Sequence, residues 1–520
     1  MNASVERIGL AAIAGLLAAP VLAVALFTVG LVPIASWAVA VAAAGVVAAF
    51  LPRHLPPDLD GILRRRPVLS IAWLVFALLA VLQVVRVAAT MIDPLSQDFL
   101  IPDNLPAHSC LTAHVRAVRL LLEGGRNIYD PRYYLEAAPE TELFEQDDFI
   151  HPPPFLLVAR ILMVFSQDFF VVRQLWFIFH AVVAGCAIAL VPRWLGGRAG
   201  WAVALLSPLL VISFPVTGTL QIGNGQLYCL ALAVLGMVFL DEKKPVVGGA
   251  LLALSVFTKV FPVFLVAYLF FRKRWRDVAW TCGWMVGVLG LSIAVLGWRA
   301  FHDYVTFGIP RTEKFGPFAY FFEHVHLILP NVSLYGFVAK LKLLGAGVDP
   351  LHAKPFALAY TALMLGLTFV GARRAGPGVG APDTRTAEGQ RWLAILTLGT
   401  LQSPNSPAAY AMLGPIWLVL LIAPSVAATP RAIAAYVALW VAALYAPLDG
   451  WPLAGWVFPF SPTKGPVPLF LALTMQIGVV ALAAWALVRR APSATSAAPA
   501  PAPPSGAGAG SGRGSPSSSS

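Results

Sequence analysis

Long apolar segments recur from one end of the 520-residue chain to the other, and they constrain its fold more than any other feature. Only 12% of the residues are charged and 58% are hydrophobic, whereas soluble globular proteins carry roughly 25% charged residues. Such a chain needs a bilayer as its solvent, where a helix satisfies its backbone hydrogen bonds within one segment. The pattern predicts an all-α polytopic membrane protein and excludes soluble enzymes and nucleic-acid-binding proteins.

Fourteen membrane spans are predicted from the lengths of the apolar runs and from the charges and prolines that bound them. They lie at about 8–28, 33–51, 69–91, 169–192, 200–216, 226–240, 246–258, 261–271, 277–298, 354–372, 391–402, 409–424, 432–448 and 467–488. The organisation expected from them is two extra N-terminal spans and a cytoplasmic loop (1–68), a core (69–298), an outer loop (299–353), C-terminal spans (354–490) and a tail (491–520). The tail is rich in Ala, Pro, Ser and Gly and is expected to be disordered.

The short loops carry clusters of Lys and Arg, such as Lys243 with Lys244 and Arg373 with Arg374. Cytoplasmic loops are enriched in these residues, and an inside N-terminus followed by fourteen spans puts every short-loop cluster in the cytoplasm. Residues 152–166 contain Arg160 and are too short for a span, so they are predicted to form a helix at the outer surface. Both termini are therefore expected in the cytoplasm of a plasma-membrane protein, and the net charge of +11 is assigned largely to topology.

Two large extracytoplasmic loops follow from this topology, at residues 92–168 and about 299–353. Long loops on a rigid scaffold are common places for chemistry. In the first loop, Leu111, Val115, Val118 and Leu122 recur with helical spacing, which predicts an amphipathic surface helix. The site is therefore sought in these loops.

Several motifs occur in a fixed order: LLEGGRNIYDP, HPPPFLLVARILMVFS, GNGQLYCLALAVLGMVFLDEKK, GGALLALSVFTKVFPVFLVAYLFFRKRWRD, NVSLYGFVAKL and LQSPNSPAAY. With an acidic residue soon after an early span, this order resembles glycosyltransferase family 87 over roughly residues 70–490. The resemblance implies a GT-C fold and an inverting sugar transfer, and the best-known members are mannosyltransferases that use polyprenol-phosphate-mannose.

Two segments depart from the family pattern. The family commonly places its catalytic Asp about a dozen residues before the glycine of the loop helix, which here falls near Thr112, while Asp98 and Asp103 lie upstream. The family's late SP-x-SW-x-H-H segment reads Ser403 to Tyr410 here, without Trp or His.

The expected function is transfer of a hexose, with mannose as the first choice, from a polyprenyl-phosphate sugar to a hydroxyl of a glycolipid or glycan at the extracytoplasmic face. A carboxylate must take the proton of the acceptor hydroxyl. The candidates, in order, are Asp98, Asp103 and Asp93, and the alternative for each is an ordinary turn residue beside proline. Membrane lipid is an expected partner; no nucleic acid, cofactor or metal is expected.

The substrate-binding candidates are polar residues at predicted outer turns. Lys259 lies in the apolar stretch SVFTKVFPVF; a charge at membrane depth is usually functional and Lys binds phosphate, although a snorkelling Lys is the alternative. The others are Asn224 and Gln226 in GNGQ, His324 and His326 in FFEHVHLILP, and Asn331 in NVSLYGF. For these residues a plain turn or an interfacial side chain is the alternative, and His180 inside a span is expected to be a hydrogen-bonded interior residue.

Two other functions remain open from the sequence. A secondary transporter concentrates ionisable residues within its spans and often has internal repeats, whereas here the spans carry few charges and no repeat is evident. A lipid-linked glycan ligase or polymerase also has large outer loops, and the order of the motifs favours the transferase over it.

Overall fold

The computed structural model describes residues 5–53, 67–95, 109–375 except 125, 137 and 138, 382–423 and 467–489. The regular secondary structure of these residues is helical, with no strand among them. The helices are α1 (Val5–Thr28), α2 (Pro33–Phe50), α3 (Pro67–Ile92), α4 (Cys110–Glu123), α5 (Leu156–Phe165), α6 (Phe169–Leu195), α7 (Gly197–Val211), α8 (Phe214–Ile222), α9 (Gln226–Asp241), α10 (Pro245–Thr258), α11 (Val263–Phe271), α12 (Trp275–Leu296), α13 (Trp298–Asp303), α14 (Ile309–Glu313), α15 (Tyr320–Glu323), α16 (Val325–Ile328), α17 (Leu334–Leu343), α18 (Lys354–Arg374), α19 (Pro382–Thr400), α20 (Ala408–Ala411), α21 (Leu413–Ile422) and α22 (Val467–Val488). The predicted span 432–448 and tail 491–520 lie outside the described residues.

Seven described helices are long and apolar enough to cross a membrane: α1, α2, α3, α6, α12, α18 and α22. The predicted span 200–216 is a bent pair, because α7 and α8 meet at 54°. Helices α9 and α10 have 16 and 14 residues and reach roughly 21–24 Å, less than the hydrocarbon core of about 30 Å. The chain is thus a multi-pass membrane protein, and the count of fourteen spans stays a prediction.

The face of α12 that points away from the protein is apolar. Val286 is 71% exposed and Leu291 is 53% exposed, and the helix is flanked by the exposed rings of Trp275 and Trp298. Tryptophans concentrate at the two membrane–water interfaces. This face is therefore suited to lipid contact, with a ring near each interface.

Glycines allow α10 to pack closely between α9 and α12. A Cβ on Gly248 would lie 2.7 Å from the carbonyl oxygen of Gly236 in α9, and one on Gly249 would lie 3.0 Å from the backbone nitrogen of Thr281 in α12. Small residues permit this approach between membrane helices. The position of α10 matters to the site because Lys259 directly follows it.

We expect Gly248→Ala to lower the thermal unfolding midpoint in detergent, because the added methyl group meets backbone on α9. Overpacking of this kind costs about 1–3 kcal/mol. Gly290→Ala in α12 is the matched control, since its Cβ would meet nothing within 4 Å. Equal melting of the two variants would show that the contact between α9 and α10 is not tight.

The described helices give the bundle two different ends. At one end, arginines donate to backbone carbonyls. Arg274 donates to the carbonyl of Leu240, and Arg272 donates to the carbonyl of Ala375. At the other end, the segments 109–168 and 299–353 pack together. Arg311 pairs there with Asp148 and donates to the carbonyl of Tyr129 at 3.2 Å. We call this second end the loop face.

Helix α4 is packed into the loop face. Leu111, Val115 and Val118 of its predicted apolar stripe are fully buried, whereas Leu122 is half exposed. The off-stripe Arg116 pairs with Glu136, and Arg119 pairs with Glu140 at 2.5 Å. These ion pairs neutralise part of the acidic loop and fix α4 over the ends of the bundle helices.

The apolar segment 152–166 forms a short 3-10 turn followed by α5. The Asp168 carboxylate accepts hydrogen bonds from the backbone nitrogens of Phe170 at 2.7 Å and Val171 at 3.2 Å. This is an N-cap, so the long helix α6 begins after Asp168.

Candidate active site

The site is built around the GNGQ turn, where α8 ends and α9 begins. Gly223 has a left-handed backbone with φ of +70°, a conformation that glycine adopts without strain. A Cβ on Gly225 would lie 2.9 Å from the Phe155 ring, so the turn can approach the loop only as glycine. The Asn224 side-chain oxygen accepts from the Gln226 backbone nitrogen at 3.0 Å, which fixes the direction of the Asn224 amide.

Lys259 lies opposite this turn, directly after the end of α10. Its Nζ donates to Oδ1 of Asn224 at 3.2 Å and lies 4.9 Å from the centre of the Tyr410 ring. No carboxylate pairs with it among the described residues. Partial burial lowers the pKa of the Lys259 ammonium, while the nearby thiols of Cys229 and Cys110 act in the opposite direction. An anion beside Nζ would raise this pKa and so favour the charged form.

Gln226 joins the GNGQ turn to the segment before Tyr410. Its Nε2 donates to Oγ1 of Thr400 at 3.1 Å, and Ser406 Oγ donates to the Thr400 carbonyl at 2.7 Å. The Gln226 side chain is buried, and its Oε1 has no hydrogen-bond partner among the described residues. The structure thus brings Asn224, Gln226 and Lys259 together, although 35 residues separate Asn224 from Lys259.

The first turn of α4 closes the site from the loop side. Asn224 Nδ2 lies 3.4 Å from the Cys110 sulfur. Thr112 Oγ1 donates to the carbonyl of Ser109 at 2.7 Å, lies 3.1 Å from the carbonyl oxygen of Glu145, and accepts from the backbone nitrogen of Asp147 at 3.1 Å. Helix α4 and the acidic segment after it therefore form one wall of the site.

Residues 149–404, about half of the chain, match the model of glycosyltransferase family 87. This region belongs to glycosyltransferase family 87. With its apolar spans, the protein is a membrane glycosyltransferase. No curated protein and no solved structure matches the chain.

Most of this site lies within the stretch that matches family 87, namely Asn224, Gln226, Lys259 and Thr400. Cys110 precedes the stretch and Tyr410 follows it, and neither was singled out as a site residue from the sequence. Tyr410 stands in the segment where the family's Trp and His residues are absent, and its ring contacts the Lys259 ammonium. This departure from the family pattern is the sequence feature that could have indicated Tyr410 as a site residue.

Two histidines beside the site were also missed. His114 of α4 is 2% exposed, and its ring centre lies 5.7 Å from that of His151. His151 stacks on Phe155 with ring centres 4.4 Å apart. Burial lowers the pKa of His114 well below its usual value and that of His151 to about 3, and the Lys259 charge contributes to both shifts.

These pKa values predict a stability that depends on pH. A histidine kept neutral by folding takes up a proton when the chain unfolds below pH about 6.5. The contribution of such a histidine to the free energy of unfolding is therefore complete above that pH. It decreases by about 1.4 kcal/mol per pH unit for each histidine as the pH falls towards 3.

We expect the thermal unfolding midpoint to be lower at pH 5 than at pH 7. This difference should be smaller in the double variant His114→Phe with His151→Phe. His302→Phe is the control, because the His302 side chain is 61% exposed. An unchanged fall in the double variant would show that these imidazoles do not titrate on unfolding.

The remaining sequence candidates bond to other residues than Lys259 or lie outside the described residues. Asn331 is fully buried, and its Oδ1 accepts from the backbone nitrogens of Ser333 and Ser406, both at 3.1 Å. Its amide therefore joins the start of α17 to the segment before α20. Asp98 and Asp103 lie outside the described residues, as does the side chain of His326.

Asp93 and His324 are described, and each makes a local contact. Asp93 is exposed beyond the end of α3 and accepts from the backbone nitrogen of Leu95 at 3.0 Å. His324 Nδ1 lies 3.1 Å from the Tyr320 carbonyl, and their ring centres are 4.3 Å apart. Among the described residues, no group of three or more His, Cys, Asp or Glu side chains is arranged to hold a metal.

His180 differs from its sequence interpretation. It is fully buried in α6, with its ring centre 4.8 Å from that of Tyr228. Neither of its ring nitrogens has a hydrogen-bond partner within the described part of the chain. It was expected to be a hydrogen-bonded interior residue.

Proposed function

We propose that this protein transfers a hexose, with mannose as the first choice, from a polyprenyl-phosphate sugar to a hydroxyl group of a glycolipid or glycan. The observation that carries the proposal is the Lys259 ammonium, which is partly buried beside Asn224 and Tyr410 and pairs with no described carboxylate. A cation so placed is expected to bind an anion from outside the protein. A phosphate whose lipid chain lies along the bundle meets this requirement.

The charge of the site favours a donor with one phosphate. In the described structure Lys259 is the cation that contacts Asn224 and Tyr410, and both of those side chains are neutral. The neighbouring imidazoles of His114 and His151 have lowered pKa values and stay neutral near pH 7. A sugar phosphodiester carries one negative charge and matches one ammonium, whereas a diphosphate carrier needs further cations or a metal.

Transfer is proposed to proceed by a single displacement with inversion. A carboxylate removes the proton of the acceptor hydroxyl, whose oxygen forms a bond to the anomeric carbon. The bond from that carbon to the phosphate oxygen breaks, and the lipid phosphate leaves with the electron pair. Asp98 is proposed as the base, with Asp103 and then Asp93 as the alternatives, and Lys259 as the ligand of the departing phosphate.

The other sequence candidates are proposed to bind substrate. Asn224 bonds to Lys259, and the backbone of Gln226 bonds to the Asn224 side chain. Both side chains are proposed to donate to the phosphate or to a sugar hydroxyl. His324 and His326 are proposed to contact the acceptor from the second loop segment. Asn331 is proposed to act through the backbone segments that its amide joins.

The reaction is proposed to occur at the extracytoplasmic face of the plasma membrane. The arginine-rich end of the described bundle lies opposite the loop face, and clusters of Arg and Lys favour the cytoplasmic side. With that end inside, both termini are cytoplasmic and the loop face points outward.

The donor class can be tested with carriers that share the same lipid and hexose but have one or two phosphates. Purified protein in detergent is incubated with each carrier and a membrane glycolipid acceptor, and the initial rates of transfer are compared. We expect transfer from the monophosphate carrier. Equal or faster transfer from the diphosphate carrier would contradict the proposed donor.

A further inference from the structure

Several buried polar groups beside the site have no hydrogen-bond partner. Neither ring nitrogen of His114 has one among the described residues. The His114 imidazole is instead surrounded by aromatic rings, with ring-centre distances of 4.6 Å to Phe155, 5.6 Å to Trp176 and 5.7 Å to His151. Within the same part of the structure, the two ring nitrogens of His180 also lack partners.

Such an arrangement is costly for the protein alone. A buried polar group without a hydrogen bond loses its hydration and gains nothing in return, and a phenylalanine at position 114 would fill a similar space without that cost. Groups of this kind in native proteins need an explanation, such as a bound water or a functional role. Two such imidazoles in one ring cluster indicate that hydrogen bonds are supplied from outside the chain.

The cluster reaches the candidate site through His151. This residue is partly exposed, its ring stacks on Phe155 at 4.4 Å, and its carbonyl accepts from the Tyr129 hydroxyl at 2.9 Å. The His151 backbone is thereby fixed, and the residue is neither fully buried nor fully exposed. A Cβ on Gly225 of the GNGQ turn would lie 2.9 Å from the same Phe155 ring, so the cluster adjoins the turn that binds Lys259.

We propose that His151 binds a hydroxyl group of the donor's sugar, and that His114 is a positioning residue that supports the His151 ring from the buried side. The inference rests on the proposed function and assigns the sugar-binding part of that site. A neutral imidazole offers one donor and one acceptor, which suits a sugar hydroxyl. The sugar then lies on the side of Lys259 that faces α4.

The test compares two ligands, a polyprenyl-phosphate hexose and the same polyprenyl phosphate without a sugar. For His151→Phe we expect affinity for the hexose carrier to fall about tenfold, as loss of one such hydrogen bond implies, while affinity for the sugar-free phosphate stays unchanged. His302→Phe, at a largely exposed histidine, should change neither affinity. Equal losses for both ligands, or no loss for either, would overturn the inference.

His114→Phe separates positioning from packing. We expect its melting midpoint at pH 7 to be equal to or higher than that of the wild type, because unpartnered nitrogens are removed from the core, while affinity for the hexose carrier falls and affinity for the sugar-free phosphate does not. A lower midpoint with equal loss of both ligands would make His114 a purely structural residue. If the wild type binds neither ligand, the proposed function fails, which is distinguishable from failure of this inference alone.

Discussion

Replacing Lys259 by alanine is expected to weaken binding of the lipid-phosphate donor by about 10- to 100-fold, because hydrogen bonds to charged groups contribute about 1.5–3 kcal/mol. The effect should appear in the KM for the donor and in direct binding of sugar-free polyprenyl phosphate. Lys259→Arg keeps the charge and should recover part of the affinity. The KM for the acceptor should change little, since the proposed role of Lys259 is confined to the phosphate.

A matched control for Lys259 is Lys342→Ala in α17, whose side chain is 55% exposed and pairs with Asp349 at 3.6 Å. This variant should bind donor like the wild type. If Lys259→Ala binds sugar-free polyprenyl phosphate as the wild type does, Lys259 is a snorkelling residue and the phosphate must be held elsewhere.

Changing Asp98 to Asn is expected to lower kcat by about 10²- to 10⁴-fold, the usual contribution of a general base. Expression and donor affinity should remain normal, because the amide occupies nearly the same volume and the donor phosphate is held by another residue. Initial rates of hexose transfer at saturating donor measure the effect. Asp103→Asn is the companion variant. If kcat falls in Asp103→Asn and changes little in Asp98→Asn, the general base is Asp103.

Asp349→Asn serves as the control for both carboxylates, because its side chain is 39% exposed and pairs with Lys342 at 3.6 Å in α17. It should retain wild-type rates. Wild-type rates for Asp98→Asn and Asp103→Asn alike would remove both residues from the chemistry and leave Asp93 to be tested.

Much of the fold could be predicted because it depends on local pattern. Apolar run length predicted the long helices α1, α3, α6, α12 and α22 to within a few residues, since a span must be both long and apolar. The bend between α7 and α8 was not predicted. Both halves are apolar, and run length alone does not reveal a change of direction within a run.

The candidate site was predicted only in part. Asn224, Gln226 and Lys259 stood out because each is polar in an apolar setting, but no pattern indicated that the Lys259 ammonium reaches the Asn224 oxygen. Contacts of this kind join segments that are far apart in sequence, such as Cys110 with Asn224 and Gln226 with Thr400. Residue spacing carries no information about such pairs.

His114 and Tyr410 were missed for a related reason. His114 lies between Leu111 and Val115 of an amphipathic stripe, so its spacing is that of a residue near the apolar face, and only packing reveals that its nitrogens lack partners. Tyr410 lies at the start of a predicted span, where an aromatic residue is ordinary. Its contact with Lys259 depends on how α20 meets the turn after α10.

The most direct measurement of the central claim is mass spectrometry of the products formed by the purified protein in proteoliposomes. Several polyprenyl-phosphate sugars are each supplied with a membrane glycolipid extract, with Lys259→Ala run in parallel. We expect one glycolipid to gain the mass of a single hexose from one donor, and the Lys259→Ala sample to gain much less at limiting donor. No hexose transfer from any donor, together with ion-coupled uptake of a solute into the vesicles, would contradict the proposed function and favour a transporter.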